Sequence, residues 1–304
     1  MADICVFAGQ GAQVPGMGKD FAEDPEIMKL FETANSVLGF DLAKYCFEGP
    51  AEELMKSNIC QPAIFTVSYA AWVSLQKKRP TEFAAAGGLS LGEWSALCAA
   101  GVLDFESTLK VLEARGRFMQ EACVATPSGM IAVMRATPEQ LDQICEKTGC
   151  TKANINSSAQ VVLSGSKDAI AAAEAEAKAL GVRASVLATA GGFHSQFMAP
   201  AREKLAPILD GITFNAPKIP VLSNVTGKVH SNDPAEIKAV MLRQVTETTN
   251  WAGDIETARE MGGSRFVEFG PGNVLSGLIR RIDKAFVCMN VSDVATLEYT
   301  VAAL

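Results

Sequence analysis

Apolar positions in this 304-residue chain fall into two patterns, short continuous runs and stripes at helical spacing. Ile4-Cys5-Val6-Phe7 is the first run and predicts a buried strand feeding the glycine-rich loop Ala8-Gly9-Gln10-Gly11-Ala12-Gln13, then Gly16-Met17-Gly18. The loop lacks the spacing, long helix and distal acid of a dinucleotide site, which leaves Gln10, at a strand end, as its informative residue. Ile27, Leu30, Phe31, Ala34 and Leu38 recur on one side of a helix from Pro25 that Gly39 stops. The stretch from Gln61-Pro62 to Leu75 is almost wholly apolar and predicts a buried helix, with Lys77-Lys78-Arg79-Pro80 as its solvated exit. Phe83-Ala84-Ala85-Ala86 predicts a second strand, and Trp94 to Ala100 a buried helix ending at Gly101. A further helix runs from Asp104 to about Glu121, packing through Leu109, Leu112, Phe118 and Met119. It contains Arg115-Gly116-Arg117, where glycine costs about 1 kcal/mol of helix propensity and so signals close packing or access.

The pattern changes at Ala125-Thr126-Pro127-Ser128-Gly129. A strand (130–134), a helix (138–147, N-capped by Thr137), a strand (160–164), a helix (167–180) and a strand (183–187) then follow in a compact block. The pattern predicts a small α/β subdomain at 126–189, inserted in a large domain formed by 1–125 and 190–304. The chain re-enters the large domain at Thr189-Ala190-Gly191-Gly192-Phe193-His194-Ser195. Predicted beyond it are a helix (200–209), the short strand Val221-Leu222, a turn at Thr226-Gly227, a helix from Pro234 to Thr246 and another from Trp251 to Met261. The last core strand is expected at 265–269, closed by Gly270-Pro271-Gly272 and a helix through Leu278 and Ile279. Strands alternating with helices predict an α/β fold with a parallel sheet.

Gly88-Leu89-Ser90-Leu91-Gly92 is a Gly-x-Ser-x-Gly element, and it lies where a strand turns sharply into a helix. This is the context of a nucleophile elbow, in an α/β-hydrolase-like core. The chain has two histidines, so a serine needing an imidazole base has two candidates. His230 sits in the polar turn Gly227-Lys228-Val229-His230-Ser231-Asn232-Asp233 and reads as an exposed loop residue. His194 follows two glycines and an aromatic at the junction back into the large domain, and is the preferred base. No aspartate is distinctively placed to orient it; a backbone carbonyl could hold the ring instead.

Composition narrows the classes. Hydrophobic residues make up 48% and charged residues 20%, as in a globular protein. A net charge of −7 disfavours general nucleic-acid binding. Eight cysteines without a Cys-x-x-Cys pair read as buried thiols of a reducing compartment, and two distant histidines argue against a metal site. No run approaches the apolar length of a membrane span, and with a strand expected from residue 4 no signal peptide is expected within the given chain, whereas a removed transit peptide would leave no trace.

Five ordered motifs together resemble the malonyl-coenzyme A:acyl carrier protein transacylases of type II fatty acid synthesis. Phe7 to Gln13 resembles that family's glutamine loop, Gly88 to Glu93 its nucleophile box, Glu113-Ala114-Arg115-Gly116 its arginine box, Phe193-His194-Ser195 its histidine box, and Glu268 to Gly272 its C-terminal turn. The resemblance spans essentially the whole chain. It implies that Ser90 attacks the malonyl thioester with His194 as general base, and that the thiol of the carrier's phosphopantetheine arm resolves the ester by ping-pong transfer. It further implies an oxyanion hole from the backbone N–H groups of Gln10 and Leu91, and Arg115 as a clamp on the free malonate carboxylate. The carbonyl of Asn250 would orient the histidine, and Phe193 would favour malonyl over methylmalonyl. The inserted subdomain would be ferredoxin-like. No permanently bound cofactor is implied: the partners are malonyl-coenzyme A and an acyl carrier protein, met by a monomer without nucleic acid or membrane.

Three positions depart from the family pattern. Leu89 stands where bacterial members usually have histidine and resembles plastid members; Ala8 replaces a common proline; Asn250 follows Thr248-Thr249 rather than Pro-Val. The compartment is therefore expected to be plastid stroma in a eukaryote or cytoplasm in a bacterium. A free-standing acyltransferase serving a polyketide carrier, an acyl-thioester hydrolase and a catalytically silent docking module remain alternatives. An acidic carrier would need a local basic patch, for which Lys110, Arg280, Arg281 and Lys284 are candidates.

Overall fold

A computed structural model describes residues 2–304. In chain order its strands are β1 (Ala2–Phe7), β2 (Ala85–Gly88), β3 (Ser128–Met134), β4 (Thr151–Ser157), β5 (Gln160–Ser166), β6 (Arg183–Val186), β7 (Leu222–Ser223), β8 (Lys228–Val229), β9 (Gly263–Phe269) and β10 (Val287–Val291). One sheet is parallel, of order β10-β9-β1-β2. β1 lies between two neighbours with helices on both faces, which is why its apolar residues run continuously instead of alternating. The helix Ser57–Lys78 is buried along most of its length and carries the chain from β1 towards β2.

The crossing helix Phe105–Ala125 approaches it very closely. A Cβ on Gly116 would lie 2.2 Å from the Ser57 carbonyl oxygen, so glycine is required by backbone contact and the propensity cost has its reason.

The inserted block forms an antiparallel sheet of order β4-β5-β3-β6, with helices Pro138–Thr148 and Lys167–Ala179 in a β-α-β-β-α-β sequence. Ile131, Val133 and Leu163 face those helices, packing on Ile144, Ile170 and Ala173. Met130, Ala132 and Val162 alternate onto the opposite face, towards Phe193 and Leu187.

Three strands have no counterpart in the sequence pattern: β4, β10 and the two-residue β8, which pairs with β7 in the stretch read as a polar turn. β4 is Thr-Lys-Ala-Asn-Ile-Asn-Ser, too polar to show as an apolar run, and pairing with β5 makes it a strand. β9 is not the last core strand: β10 pairs with it as an edge strand and the helix Val294–Ala303 follows. Its five residues, broken by Asn290, are too short to stand out by pattern alone.

Candidate active site

The elbow begins where β2 ends. Ser90 has φ 56° and ψ −98°, a backbone conformation that an L-residue adopts only under strain, and the helix Leu91–Ala99 starts immediately after it. Close packing imposes the turn. A Cβ on Gly88 would lie 2.2 Å from the Gly92 carbonyl carbon, and one on Gly92 would lie 2.1 Å from the Phe7 carbonyl oxygen. The Asn224 side chain clamps both sides of the turn: its Oδ1 accepts from the Ser90 N–H at 2.6 Å, and its Nδ2 donates to the Gly88 carbonyl at 2.8 Å. The same Nδ2 donates to Asp254 Oδ2 at 2.7 Å. Asp254 is fully buried, and burial followed by the nearby Glu93 charge pushes its carboxyl well above the usual range.

His194, also at positive φ (55°), brings Nε2 to 2.8 Å from Ser90 Oγ. Its loop is fastened to the subdomain: Ser164 Oγ donates to the Phe193 carbonyl at 2.6 Å, and the Gly192 N–H donates to Ser128 Oγ at 2.8 Å. The other ring nitrogen, Nδ1, lies 2.9 Å from the Gln244 carbonyl oxygen. A carbonyl can only accept, so the proton sits on Nδ1 and the Nε2 lone pair faces the serine hydroxyl. Burial, reinforced by the Arg115 charge and opposed by backbone bonds to Gln244 and Glu247, pushes the imidazole down to about 4.

The assignment of Asn250 as the orienting residue is thereby corrected. Asn250 is the N-cap of the helix Trp251–Glu260: its carbonyl accepts from the Asp254 N–H at 3.1 Å and its side chain from the Gly253 N–H, so its groups are spent on the helix start. Gln244 was legible in one respect. It continues the buried stripe of Ile237 and Met241 one turn on, a polar residue at an apolar position.

His230 is likewise corrected. It is buried, not an exposed loop residue, because the turn after β8 folds back against the elbow helix, where Nε2 lies 2.6 Å from Glu93 Oε1 and the His230 N–H donates to the Val221 carbonyl.

Arg115 is 1% exposed and reaches Ser90 directly. Its Nη2 donates to Ser90 Oγ at 2.9 Å and to Gln244 Oε1 at 3.2 Å, and its Nη1 donates to Gln61 Oε1 at 2.7 Å. Every one of these acceptors is neutral, Nε has no partner, and no carboxylate pairs with the guanidinium among the described residues. Burial lowers the guanidinium to about 10, against the raising effect of Glu93.

Gln10 anchors its side chain between Ser57 Oγ and Gln61 Nε2, and no acceptor among the described residues meets its backbone N–H. Leu91 is the first residue of its helix, where a backbone N–H has no intrahelical acceptor. Phe193 is half-buried in the wall of a cleft of about 900 Å³ lined on one side by Met130, Asn154 and Val162 of the antiparallel sheet, a cleft that also reaches Gln10, Ser90 and His194.

Both carboxylate oxygens of Glu268 accept backbone N–H groups at the start of the helix Val274–Ile282, whose Val274 and Leu278 line the cleft. Arg280, Arg281 and Lys284 follow at the far end of that helix, whereas Lys110 lies in a separate concavity with Asp104 and Glu106. Among the described residues no group of three or more His, Cys, Asp or Glu could hold a metal, and no helix is long and apolar enough to cross a membrane. The eight thiols are unpaired, six of them buried.

The acyl transferase domain family matches residues 4–297. The chain belongs to that family. The malonyl CoA-acyl carrier protein transacylase of Escherichia coli (strain K12) is 40% identical over 286 residues, 91% of each chain. The crystal structure of the malonyl CoA-acyl carrier protein transacylase from Clostridium perfringens is 38% identical, with a TM-score of 0.95 over 100% of this chain and 97% of that one. PlMCAT, a malonyl-transacylase solved in complex with the type II PKS acyl-carrier protein AntF, is 36% identical with a TM-score of 0.96 over 100% of both chains. The α/β fold with its parallel sheet is that of these acyltransferase structures, and the chain is an acyltransferase.

Proposed function

We propose that this chain transfers a malonyl group from malonyl-coenzyme A to the phosphopantetheine thiol of an acyl carrier protein, through a malonyl ester on Ser90. The observation that carries the reading is Arg115: a buried guanidinium with one N–H unpaired and no anionic partner, bonded to the nucleophile itself. A cation so placed favours an acyl group that brings its own carboxylate.

In the first half-reaction the Ser90 O–H proton passes to His194 Nε2 as Oγ attacks the thioester carbonyl. The tetrahedral oxyanion lies towards the backbone N–H groups of Gln10 and Leu91, and on collapse the coenzyme A thiolate leaves with the proton from Nε2. In the second, Nε2 takes the proton of the phosphopantetheine thiol, the sulfur attacks the ester carbonyl, and the proton returns to Ser90 Oγ as the C–O bond breaks. The site needs no permanently bound cofactor for either half. The malonate carboxylate also offsets the Arg115 charge, which otherwise opposes a positive His194, so the substrate that fits the clamp eases formation of the imidazolium.

Phe193, half-buried beside the base, disfavours an α-methyl group there. One chain carries the whole site, so a monomer suffices. The carrier docks at the mouth by the helix Val274–Ile282, with Arg280, Arg281 and Lys284 as its basic contacts; Lys110 is too remote to join them. The bacterial source of the E. coli and Clostridium relatives favours cytoplasm over plastid stroma, and AntF makes a polyketide carrier the second reading for the partner.

The test offers malonyl-coenzyme A with and without a carrier bearing a free phosphopantetheine thiol and follows both proteins by mass spectrometry. An adduct of about 86 Da, the malonyl increment, is expected, absent in Ser90→Ala and passed to the carrier and not to water. An adduct that persists in Ser90→Ala ends the mechanism; release to water unaffected by the carrier makes the enzyme a hydrolase.

A further inference from the structure

Behind Ser90, on the side away from the cleft, lies a buried chain of polar groups that the transfer reaction does not use. Glu93, fully buried on the elbow helix, accepts at Oε1 from His230 Nε2 (2.6 Å) and at Oε2 from Gln244 Nε2 (2.5 Å). That same Nε2 donates to the Ser90 carbonyl at 2.9 Å, while Gln244 Oε1 accepts from Arg115 Nη2 at 3.2 Å.

We propose that Glu93 and His230 are positioning residues that lock the Gln244 amide and, through it, set the serine, the base and the carboxylate clamp together. The inference rests on the transacylase reading of the same site.

The lock follows from donor and acceptor identities. A carboxylate only accepts, so the Gln244 amide must turn its NH2 towards Glu93 and the Ser90 carbonyl, and its oxygen is left facing Arg115. The opposite rotamer would set an NH2 against the guanidinium, donor against donor, with a carbonyl oxygen against a carboxylate. His230 occupies the other oxygen of Glu93 and so fixes the carboxylate that fixes the amide. One residue, Gln244, then holds Arg115 by its side chain, the Ser90 backbone by the same side chain, and His194 by its main chain. Glu93 and His230 touch neither the acyl group nor the reacting atoms.

The stretch from Gly88 to Glu93 already contains the acceptor that the lock needs. Glu93 sits three residues after Ser90 on the elbow helix, whose first turn places it under the nucleophile's own carbonyl, where the Gln244 amide bridges the two. Leu91 and Gly92 fill the elbow and Glu93 braces it.

The test measures the second-order rate of Ser90 acylation by malonyl-coenzyme A and by acetyl-coenzyme A in wild type, Arg115→Ala, His230→Leu, His230→Gln, Glu93→Leu and Glu93→Gln, with thermal melting to establish that each is folded. A merely structural residue lowers both rates alike or neither. Loss of the lock frees Arg115 as well as His194, so in His230→Leu and Glu93→Leu the malonyl rate falls further than the acetyl rate and their ratio drops about tenfold, towards Arg115→Ala. His230→Gln restores a donor at the Nε2 position and Glu93→Gln an acceptor facing Gln244; each recovers most of the ratio. If Glu93→Leu does not fold, the His230 pair decides. Leucine variants that fold and keep the wild-type ratio overturn the proposal, as do glutamine variants that lose as much as the leucine ones. A wild-type enzyme that forms no malonyl-Ser90 at all removes instead the reading on which this one rests.

Discussion

The carbonyl oxygen of Gln244 lies 2.9 Å from Nδ1 of His194, and this contact assigns the proton of the imidazole. With Nδ1 protonated, Nε2 presents its lone pair to Ser90 Oγ at 2.8 Å, so the ring can only receive the serine proton. A dipolar carbonyl orients the imidazole without adding a negative charge beside it, which leaves burial and Arg115 free to hold the ring neutral. Four predictions follow from the groups around this pair.

Arg115→Ala removes the cation that meets Ser90 Oγ. Acylation by malonyl-coenzyme A is expected to fall by about 10²-fold or more, the cost of losing a desolvated charge-assisted contact, with acetyl-coenzyme A affected less. Competition between the two thioesters reads the ratio directly, and an unchanged selectivity would falsify the clamp. Arg115→Lys should not rescue, because a single ammonium cannot meet Gln61, Gln244 and the ligand together.

The pH profile follows from the depressed base. His194 in the free enzyme loses its proton near 4, well below the ordinary 6.5, so kcat/KM for acylation stays on its plateau through pH 6 and declines only as pH approaches about 4. Bound malonate offsets Arg115, so the acid limb of kcat lies at higher pH than that of kcat/KM. For stability the sign is the same: the unfolded ring takes a proton below about 6.5 while the folded one does not, so this group destabilises the fold progressively as pH falls from there to about 4. A kcat/KM limb between pH 6 and 7 would mean that the ring is not desolvated in the free enzyme.

Asp254 predicts a gain from a neutral replacement. Its carboxyl is raised well above 3.8 by burial and by Glu93, so above that pH the unfolded chain releases a proton that the folded one retains, and stability is lost as pH rises. Asp254→Asn keeps an oxygen for Asn224 Nδ2 and removes the titration. It should raise stability at pH 7, with the advantage vanishing below pH 3.8. Chemical denaturation at both pH values gives the comparison; a variant less stable at pH 7 shows that the acid is ionised and needed.

Gly116→Ala runs against helix propensity. Alanine gains about 1 kcal/mol in an ordinary helix, yet here its Cβ would sit 2.2 Å from the Ser57 carbonyl oxygen, and the two helices must part. Net destabilisation of about 2 kcal/mol or more is expected, with Arg115 displaced and malonyl acylation reduced beyond the loss of stability. Equal or higher melting temperature would show that the helices separate at no cost.

Much of this site can be read along the chain because its chemistry depends on local patterns. Ser90 is marked by the glycines that its turn demands, Arg115 by the glycine beside it that the helix crossing demands, and His194 by the scarcity of histidine. β1 shows as a continuous run because both its faces are covered, while β4 and β10 do not show, since pairing partners far along the chain supply what their own residues lack. The start of the antiparallel sheet is visible as a change in pattern near residue 126, though not the polar strand that completes that sheet.

The chain by itself thus determined the α/β order and marked Ser90, His194 and Arg115 as the candidates that the proposed mechanism uses, each through steric or chemical demands within a few residues. Tertiary structure decided which carbonyl orients His194, what becomes of His230, and how Asn224, Glu93 and Gln244 enclose the elbow. Those choices belong to hydrogen bonds between residues more than a hundred positions apart, as Ser90 to Asn224 and Glu93 to His230 are, or fifty, as His194 to Gln244 are. Asn250 and Gln244 illustrate the difference: each has a carbonyl near the same helix junction, and only the fold shows that one is already bonded to Asp254 while the other faces the ring. A polar turn likewise cannot announce that it folds back over a buried glutamate, because the partner that makes His230 an interior residue lies on the helix of the serine.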